Sequence, residues 1–471
     1  TLVVHPNDHP FDSDLLEVDE NDRVISFFSK PHKKKSYHRN LVNAALYVLS
    51  PKIFQFIKKN SFSDFGKDIF PKLMSTNLSI FAYNTTQYIK DVGTIERLKE
   101  VESDYLSGKV NRLNKCNKQK AVFIDRDGVV NLENEPINKP EKFDLYPDVK
   151  QAIRLLNKSD FLSVLVTNQP IIAKGMATNA QLSKGHGYME HVLGKEKAYI
   201  DRIYYCPHHP DKGFEGERRE YKVSCKCRKP ETGMIDKAVY DMNIDITKSF
   251  IIGDRTVDIM TGVNANLHTI LVRQGYAGKD NKYSCKPDFI FNNLLEATQF
   301  IVNGFEQILK ILNGNLIFIL KNDKPCIIAI GGLPRSGKSI LSSVIKIIFQ
   351  NLKRKVKIIE VDKMLNLKIQ ELNDNSFEKY YSITKTVIEN LLNDEKINEN
   401  KLDNDSLNLE KNTNLASHNT DQVFIIEGSA ILGSEYVRKI SDLNIYTEVP
   451  ENIRRNRVDD SVNPSEDKLS Q

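Results

Sequence analysis

No stretch of this 471-residue sequence is apolar for long enough to cross a bilayer. No secretory pattern opens it. A membrane partner is therefore not expected, and the expected location is the cytoplasm. Cysteine is scarce. There are six, three of them in one short stretch. That count argues against a disulfide framework and for a reduced compartment with one candidate metal loop. An excess of one charge is also missing, because 67 basic residues face 62 acidic ones. The basic residues are not gathered into a stripe, so no nucleic-acid partner is expected. The short run His32 to Lys35 reads as a solvated loop, and no internal repeat is visible.

The length asks for about two to four domains, and a hydrophobic share of 40% is enough to build them. Thr1 opens what looks like the middle of a strand, and the chain stops at Gln471 in a polar run. Truncation at both ends is the expectation. Residues 1–110 alternate short apolar runs with turns, with a strand and then a helix expected over Leu41 to Ile57. Asn111 to Lys120 reads as a linker. A second domain is expected over 118–305. Its strands are Ala121–Ile124, Leu162–Val166, Ile203–Tyr205 and Phe250–Ile252, with helices at Val149–Leu156 and Leu294–Leu312. Strands alternating with helices predict a parallel α/β sheet covered on both faces. A third α/β unit is expected over 316–471. It has strands at Cys326–Ile330, Val356–Val361, Val423–Ile426 and Asn444–Val449, a helix at Lys338–Phe349, and a polar, disordered insert over 393–422.

Asp125-Arg126-Asp127-Gly128 follows the strand Ala121–Ile124 directly. Strand ends point side chains into the crevice where parallel sheets bind ligands. Two carboxylates two residues apart can divide nucleophilic and proton-transfer work. A turn with an Asx motif is the plainer alternative for the motif alone. Thr167-Asn168-Gln169 ends the next strand and suits phosphoryl oxygens. Lys229 follows a cysteine-rich loop. Asp254 sits in Gly-Asp-Arg after Phe250–Ile252, with Asp258 one helical turn later. An acidic residue beside the first Asp would hold Mg²⁺, a hard cation that prefers oxygen.

In order and spacing these elements resemble the haloacid dehalogenase superfamily. The segments Ala121–Asn131, Tyr-Tyr-Cys-Pro-His-His-Pro at 204 and Cys-Arg-Lys-Pro at 227 resemble the D,D-heptose 1,7-bisphosphate phosphatases and their histidinol phosphatase relatives. The resemblance implies a Rossmann-like domain. It makes Asp125 the nucleophile, Asp127 the acid and base, and Lys229 the neutralising cation. Thr167 and Asn168 become hydrogen-bond donors. Mg²⁺ is held by Asp125, the Asp127 carbonyl and Asp254, and Arg228 contacts a phosphorylated sugar. One loop departs from the family, Pro170 to Gly175 in place of Ser-Gly-Ile-Ala-Arg-Gly. Its Lys174 is a further candidate substrate contact. The implied reaction removes the 7-phosphate of the bisphosphate. Histidinol phosphate, a kinase with an auxiliary phosphatase, and a non-catalytic scaffold are the alternatives, and the intact acidic motif argues against the scaffold.

Cys206-x-His208 and Cys225-x-Cys227 make three thiolates and one imidazole, the usual composition of a closed structural zinc site. His209 is the alternative imidazole. Such a Zn²⁺ would pin the loop carrying Arg228 and Lys229.

Lys30-Pro31-His32, Asn43 to Tyr47 and Asp91-Val-Gly-Thr resemble the back half of sugar-phosphate nucleotidyltransferases. By that likeness Lys30 would contact sugar phosphate and Asp91 would help bind metal. The Gly-rich nucleotide loop is missing, so this segment is expected to be inactive. In the last unit, Gly332 to Ser339 reads Gly-x₄-Gly-Lys-Ser between a strand and a helix. Gly332, Gly337, Lys338 and Ser339 would cradle the phosphates of ATP or GTP. The unit resembles small-molecule kinases of the uridine kinase kind. That likeness makes Asp362 a substrate-facing acid, Glu427 an acid near Mg²⁺, and Arg454 and Arg457 lid arginines.

Overall fold

A computed structural model of the chain describes residues 1–19, 21–32, 37–76, 78–132, 143–308, 312, 326–333, 336–352, 354–364, 381, 385, 422–429 and 431–448. The chain divides into two compact units, Thr1–Gly304 and Phe305–Gln471. None of the described helices is long and apolar enough to cross a membrane.

The first unit holds two sheets. The N-terminal one has five strands in the order β3-β2-β4-β1-β5. They are β1 (Leu2–His5), β2 (Leu15–Val18), β3 (Val24–Phe28), β4 (Val42–Tyr47) and β5 (Ala82–Asn84). Only β1 and β5 run parallel; the other pairs are antiparallel. Leu2, Val4, Leu16, Val24, Ile69 and Phe70 close its core. A strand does occupy the first half of the stretch 41–57, but a 3₁₀ segment, Pro51–Phe56, follows it where a helix was expected.

The second sheet has six parallel strands, in the order β11-β10-β9-β6-β7-β8. These are β6 (Lys120–Ile124), β7 (Phe161–Asn168), β8 (Arg202–Cys206), β9 (Phe250–Gly253), β10 (His268–Val272) and β11 (Phe289–Phe291). Residues 121–124 are fully buried and seven of the eight positions of β7 are buried, the pattern of strands covered on both faces. The chain leaves β6 toward β7 and β8 on one side, and returns through β9 to β11 on the other. The end of β6 is therefore the topological switch point, where such sheets bind ligands.

One expectation needs correction here. The linker is tied down: Gln119 donates to the carbonyls of Arg112, Asn114 and Asn117, and Asn243 donates to that of Lys115. Both expected domains fall within the unit Thr1–Gly304. The long helix expected from Leu294 is present among the described residues, α-helical over Leu294–Gln299, π-helical over Phe300–Phe305 and α-helical again over 306–308. Helix Asn179–Gly194 has no sequence reading above. Its Gly185 and Gly187 lower helix propensity, but Thr178 and Gln181 form a full capping box that starts it.

The second unit has a four-stranded parallel sheet in the order β13-β14-β12-β15. Its strands are β12 (Cys326–Gly331), β13 (Lys355–Glu360), β14 (Gln422–Gly428) and β15 (Leu443–Tyr446), and helix Lys338–Asn351 packs on it. Gln422 opens β14 rather than closing the insert, because its register pairs it with Lys355. Residues 393–421, and with them the expected disorder, lie outside the described residues. So do Arg454 and Arg457.

Candidate active site

Asp125 follows β6, and its backbone N–H donates to Ile252 of the neighbouring β9. Lys229 reaches it from the opposite side of the crevice. The Nζ lies 2.8 Å from Asp125 Oδ1, 2.5 Å from Asp258 Oδ1 and 3.2 Å from the Val166 carbonyl. Burial works against the ammonium charge, but Asp125 and Asp258 outweigh it and raise the Lys229 pKa. Asp125 is pushed above the ordinary carboxylate value, first by burial and then by Asp258, with Lys229 pulling the other way.

Asp254 is fully buried after β9. It is wedged between two glycines of positive φ. A Cβ on Gly128 (φ 86°) would lie 2.3 Å from Asp254 Oδ2, and one on Gly275 (φ 57°) would lie 2.2 Å from it. Only glycine allows this approach and this backbone. Asp254 Oδ2 accepts from Tyr276 N, while Oδ1 is buried with no hydrogen-bond partner. Oxygens of Asp125, Asp254 and Asp258 all lie within 4.8 Å of one another. Burial, then Asp125 and Asp258, raise the Asp254 pKa. Three buried carboxylates against one lysine, with an orphaned oxygen among them, fit a hard divalent cation.

A stability prediction follows with its sign. Asp125 and Asp254 have folded pKa values above their unfolded values. Metal-free protein therefore loses stability as pH rises above the unfolded value of about 4. Added Mg²⁺ should raise the melting temperature, and by more at neutral pH than at pH 5. A thermal series with and without EDTA checks this, and a Mg²⁺ effect that shrinks as pH rises would contradict it.

Asp127 is held differently. Arg126 Nε and Nη2 donate to it at 2.9–3.1 Å, Asn131 at 3.0 Å and Gln169 at 2.7 Å. Burial alone would raise its pKa, but Arg126 and then these amides outweigh that and lower it. Thr167 is buried at the end of β7 and its hydroxyl accepts from Gln169. The Asn168 side chain is turned to Lys229. Both ends of its amide bind the backbone of Lys229, Oδ1 accepting from its N–H at 3.0 Å and Nδ2 donating to its carbonyl at 3.2 Å. Asn168 therefore fixes where the lysine stands. Arg126, Asn131, Gln169 and Asp258 have no assigned role in the motif reading. Their positions within or next to the matched segments were the available signal.

Beside the crevice, Cys206, His208, Cys225 and Cys227 converge at the end of β8 and the following loops. The sulfurs lie 3.2–3.6 Å apart, and His208 Nδ1 lies 3.3 Å from Cys227 and 3.7 Å from Cys206. A disulfide needs about 2.05 Å, whereas ligands on a tetrahedral zinc stand about 3.5–3.8 Å apart. The hydrogen-bond contact with Cys206 is the first of the causes that lower the Cys227 pKa, toward the thiolate a metal requires. His209 is turned away from this group and accepts from Asp211 N. Arg228 Nη1 is anchored on the His208 carbonyl at 3.1 Å. Lys174 lies over the Phe214 ring, 4.6 Å from its centroid.

Two other predicted sites can be placed. Lys30 and Asp91 line one cleft of about 1020 Å³ in the first unit. Lys30 Nζ donates to the Asp12 carbonyl, and Asp91 pairs with Arg97. In the second unit, Lys338 Nζ donates to the Gly332 and Leu333 carbonyls at 2.9 and 3.1 Å and to Ser429. Ser339 donates to Glu427 at 2.9 Å, and Asp362 accepts from Ser429. The predicted Lys338, Ser339, Asp362 and Glu427 are thus joined at one end of the parallel sheet.

The D-glycero-beta-D-manno-heptose-1,7-bisphosphate 7-phosphatase of Haemophilus ducreyi is 35% identical over 187 residues, 39% of this chain and 98% of that protein.

 The enzyme of the same name from Escherichia coli is 36% identical over 182 residues, 38% of this chain and 93% of that protein. The chain belongs to this phosphatase family. A HAD-hydrolase-like family model matches residues 226–297, and a nucleotidyl transferase model matches residues 1–108. A crystal structure of the D,D-heptose 1,7-bisphosphate phosphatase from B. bronchiseptica, complexed with magnesium and phosphate, is 28% identical. It covers 41% of this chain and 99% of that one, with a TM-score of 0.35. The chain is thus a phosphoric monoester hydrolase of the haloacid dehalogenase type, preceded by a nucleotidyltransferase segment.

Proposed function

We propose that the chain hydrolyses D-glycero-D-manno-heptose 1,7-bisphosphate at the 7-position through an aspartyl-phosphate. The observation that carries this is Asp125 bridged to Lys229 at 2.8 Å beside the buried acids Asp254 and Asp258, in a chain whose relatives are named for that reaction. An Asp125 oxygen attacks phosphorus, and the bond from phosphorus to the sugar oxygen breaks. Asp127 delivers a proton to that oxygen. A water then attacks the aspartyl-phosphate while Asp127 takes its proton, which releases phosphate and regenerates Asp125. The resting contacts of Asp127 favour its ionised form. The incoming phosphoryl charge opposes that and favours the protonated form needed first. Mg²⁺, held by Asp125, the Asp127 carbonyl and Asp254, would neutralise charge on the transferring group. Lys229 adds a second positive charge, placed by Asn168. Zn²⁺ on Cys206, His208, Cys225 and Cys227 would be structural, because four protein ligands leave no open position.

Arg228 stands next to Lys229 and is anchored on the zinc loop, which suits a planar grip on the phosphate that is not cleaved. Binding at that remote group lowers the barrier at the reacting one. The bisphosphate should therefore be hydrolysed much faster than any monophosphate. Arg228→Ala should erode this preference by about tenfold or more while changing hydrolysis of an aryl phosphate less. Phosphate release from a panel of sugar bisphosphates, sugar monophosphates and histidinol phosphate measures it. Equal kcat/KM for the bisphosphate and histidinol phosphate would overturn the heptose reading and leave the Asp125 chemistry standing.

A nucleoside triphosphate is the proposed ligand of the second unit. The contacts of Lys338 with the loop carbonyls and of Ser339 with Glu427 support this: an ammonium for the phosphates, and a hydroxyl beside a carboxylate for their Mg²⁺. Lys338→Ala should weaken ATP or GTP binding by about tenfold or more. Calorimetry on the full chain checks it, and undiminished binding by the variant would refute the assignment.

A further inference from the structure

The side of the phosphatase domain that holds Asp127 is covered by the N-terminal segment. Arg126 is 2% exposed. Its guanidinium holds Asp127 with Nε and Nη2, lies 5.5 Å from the centroid of the Phe143 ring, and turns Nη1 toward His186 Nε2 at 3.2 Å. Since a guanidinium only donates, His186 Nε2 must accept, so the imidazole is neutral with its proton on Nδ1. His186 is fully buried on helix Asn179–Gly194, and its Nδ1 has no partner among the described residues. What fixes the ring is therefore the seat of its helix.

That seat is built by the N-terminal segment. Glu190, one turn beyond His186 and 3% exposed, accepts from Arg39 Nε at 2.7 Å and from the Asn40 backbone at 3.0 Å. A Cβ on Gly187 would stand 3.0–3.1 Å from backbone atoms of Tyr37 and His38, so the loop lies directly on the helix. Tyr37 and Phe11 both pack edge-on against His191. The contacts run without a gap from Arg39 through Glu190, the helix, His186 and Arg126 to Asp127. The 187 matched residues make up 98% of the Haemophilus ducreyi relative, so that protein has no room for a segment of this size.

We propose that Arg126 and His186 are positioning residues for Asp127, and that the N-terminal segment acts on the phosphatase reaction by seating their helix through Arg39 and Glu190. This rests on the reading of Asp127 as the proton donor above. The N-terminal segment is then a working part of the phosphatase, whatever becomes of its own ancestral chemistry.

The leaving group separates this from a purely structural role. A sugar alkoxide must be protonated as it leaves, whereas p-nitrophenolate leaves without help; the later water-activating step is common to both, so misplacing Asp127 slows the leaving-group step only for the sugar. The experiment measures kcat and KM of the full chain on the heptose bisphosphate and on p-nitrophenyl phosphate. His186→Ala should lower kcat/KM, which reads the steps up to departure of the leaving group, at least about tenfold more on the bisphosphate than on the aryl ester. His186→Gln, whose amide oxygen can still accept from Arg126, should recover most of the loss. Glu190→Ala should shift the same ratio in the same direction by about threefold. Arg39→Ala, partly exposed and better tolerated, keeps the test open if Glu190→Ala does not fold. Equal losses of kcat/KM on both substrates in His186→Ala would overturn the positioning role. An unchanged ratio in the folded docking variant would overturn the part played by the N-terminal segment. Failure of the phosphatase reading itself would look different, as aryl phosphate hydrolysis that survives Asp125→Asn.

Discussion

Asp125→Asn abolishes phosphate release and leaves the fold intact; this is the largest expected effect in the molecule. The amide matches the carboxylate in shape and can still accept from Lys229 and from the Arg126 backbone, which lie 2.8 and 2.7 Å from Asp125 Oδ1. What it cannot do is form the acyl phosphate, so the loss should be at least on the order of 10³-fold in kcat. Removing one buried acid from a cluster of three also relieves repulsion, so the melting temperature in EDTA should not fall. Phosphate release and thermal melting on the same preparation separate the two effects. Turnover retained above a few per cent would sink the assignment of Asp125 as nucleophile.

Loss of the zinc loop should have the next largest effect, this time on structure and activity together. The purified chain should carry about one equivalent of zinc. Cys227→Ser should lose it, because Cys227 lies 3.2–3.3 Å from all three of the other ligands. The adjoining residues are Arg228 and Lys229, and Lys229 is the only cation seen bridging Asp125 and Asp258 among the described residues. Disturbing the loop should therefore cost activity by about 10- to 100-fold or more, the scale seen when the support of a metal site is removed. Elemental analysis of freshly reduced protein and steady-state kinetics measure both. Wild-type protein without zinc, or a zinc-free variant with full activity, would contradict the loop's proposed role.

The sequence by itself determined the candidate positions for the chemistry. Asp125, Asp127, Thr167, Lys229 and Asp254 are legible because each stands at the end of a short buried strand or just after a loop. Strand ends in a parallel sheet must converge on one crevice, so local pattern suffices. The Cys206, His208, Cys225 and Cys227 cluster was legible as two tight pairs, and so was the Gly-x₄-Gly-Lys-Ser loop between its strand and helix. Tertiary structure decided what spacing along the chain cannot encode. It chose His208 over His209, because both neighbours satisfy the same pattern and only the path of the loop aims one at the three sulfurs. It bound Asn168 to the Lys229 backbone across 61 positions of sequence. It brought Asp258 to Lys229 and Gln169 to Asp127. And it laid Arg39 on Glu190, 151 positions away, joining two segments that the sequence presents as separate domains around a polar linker. Contacts between distant segments depend on how whole elements pack, and no local periodicity records that.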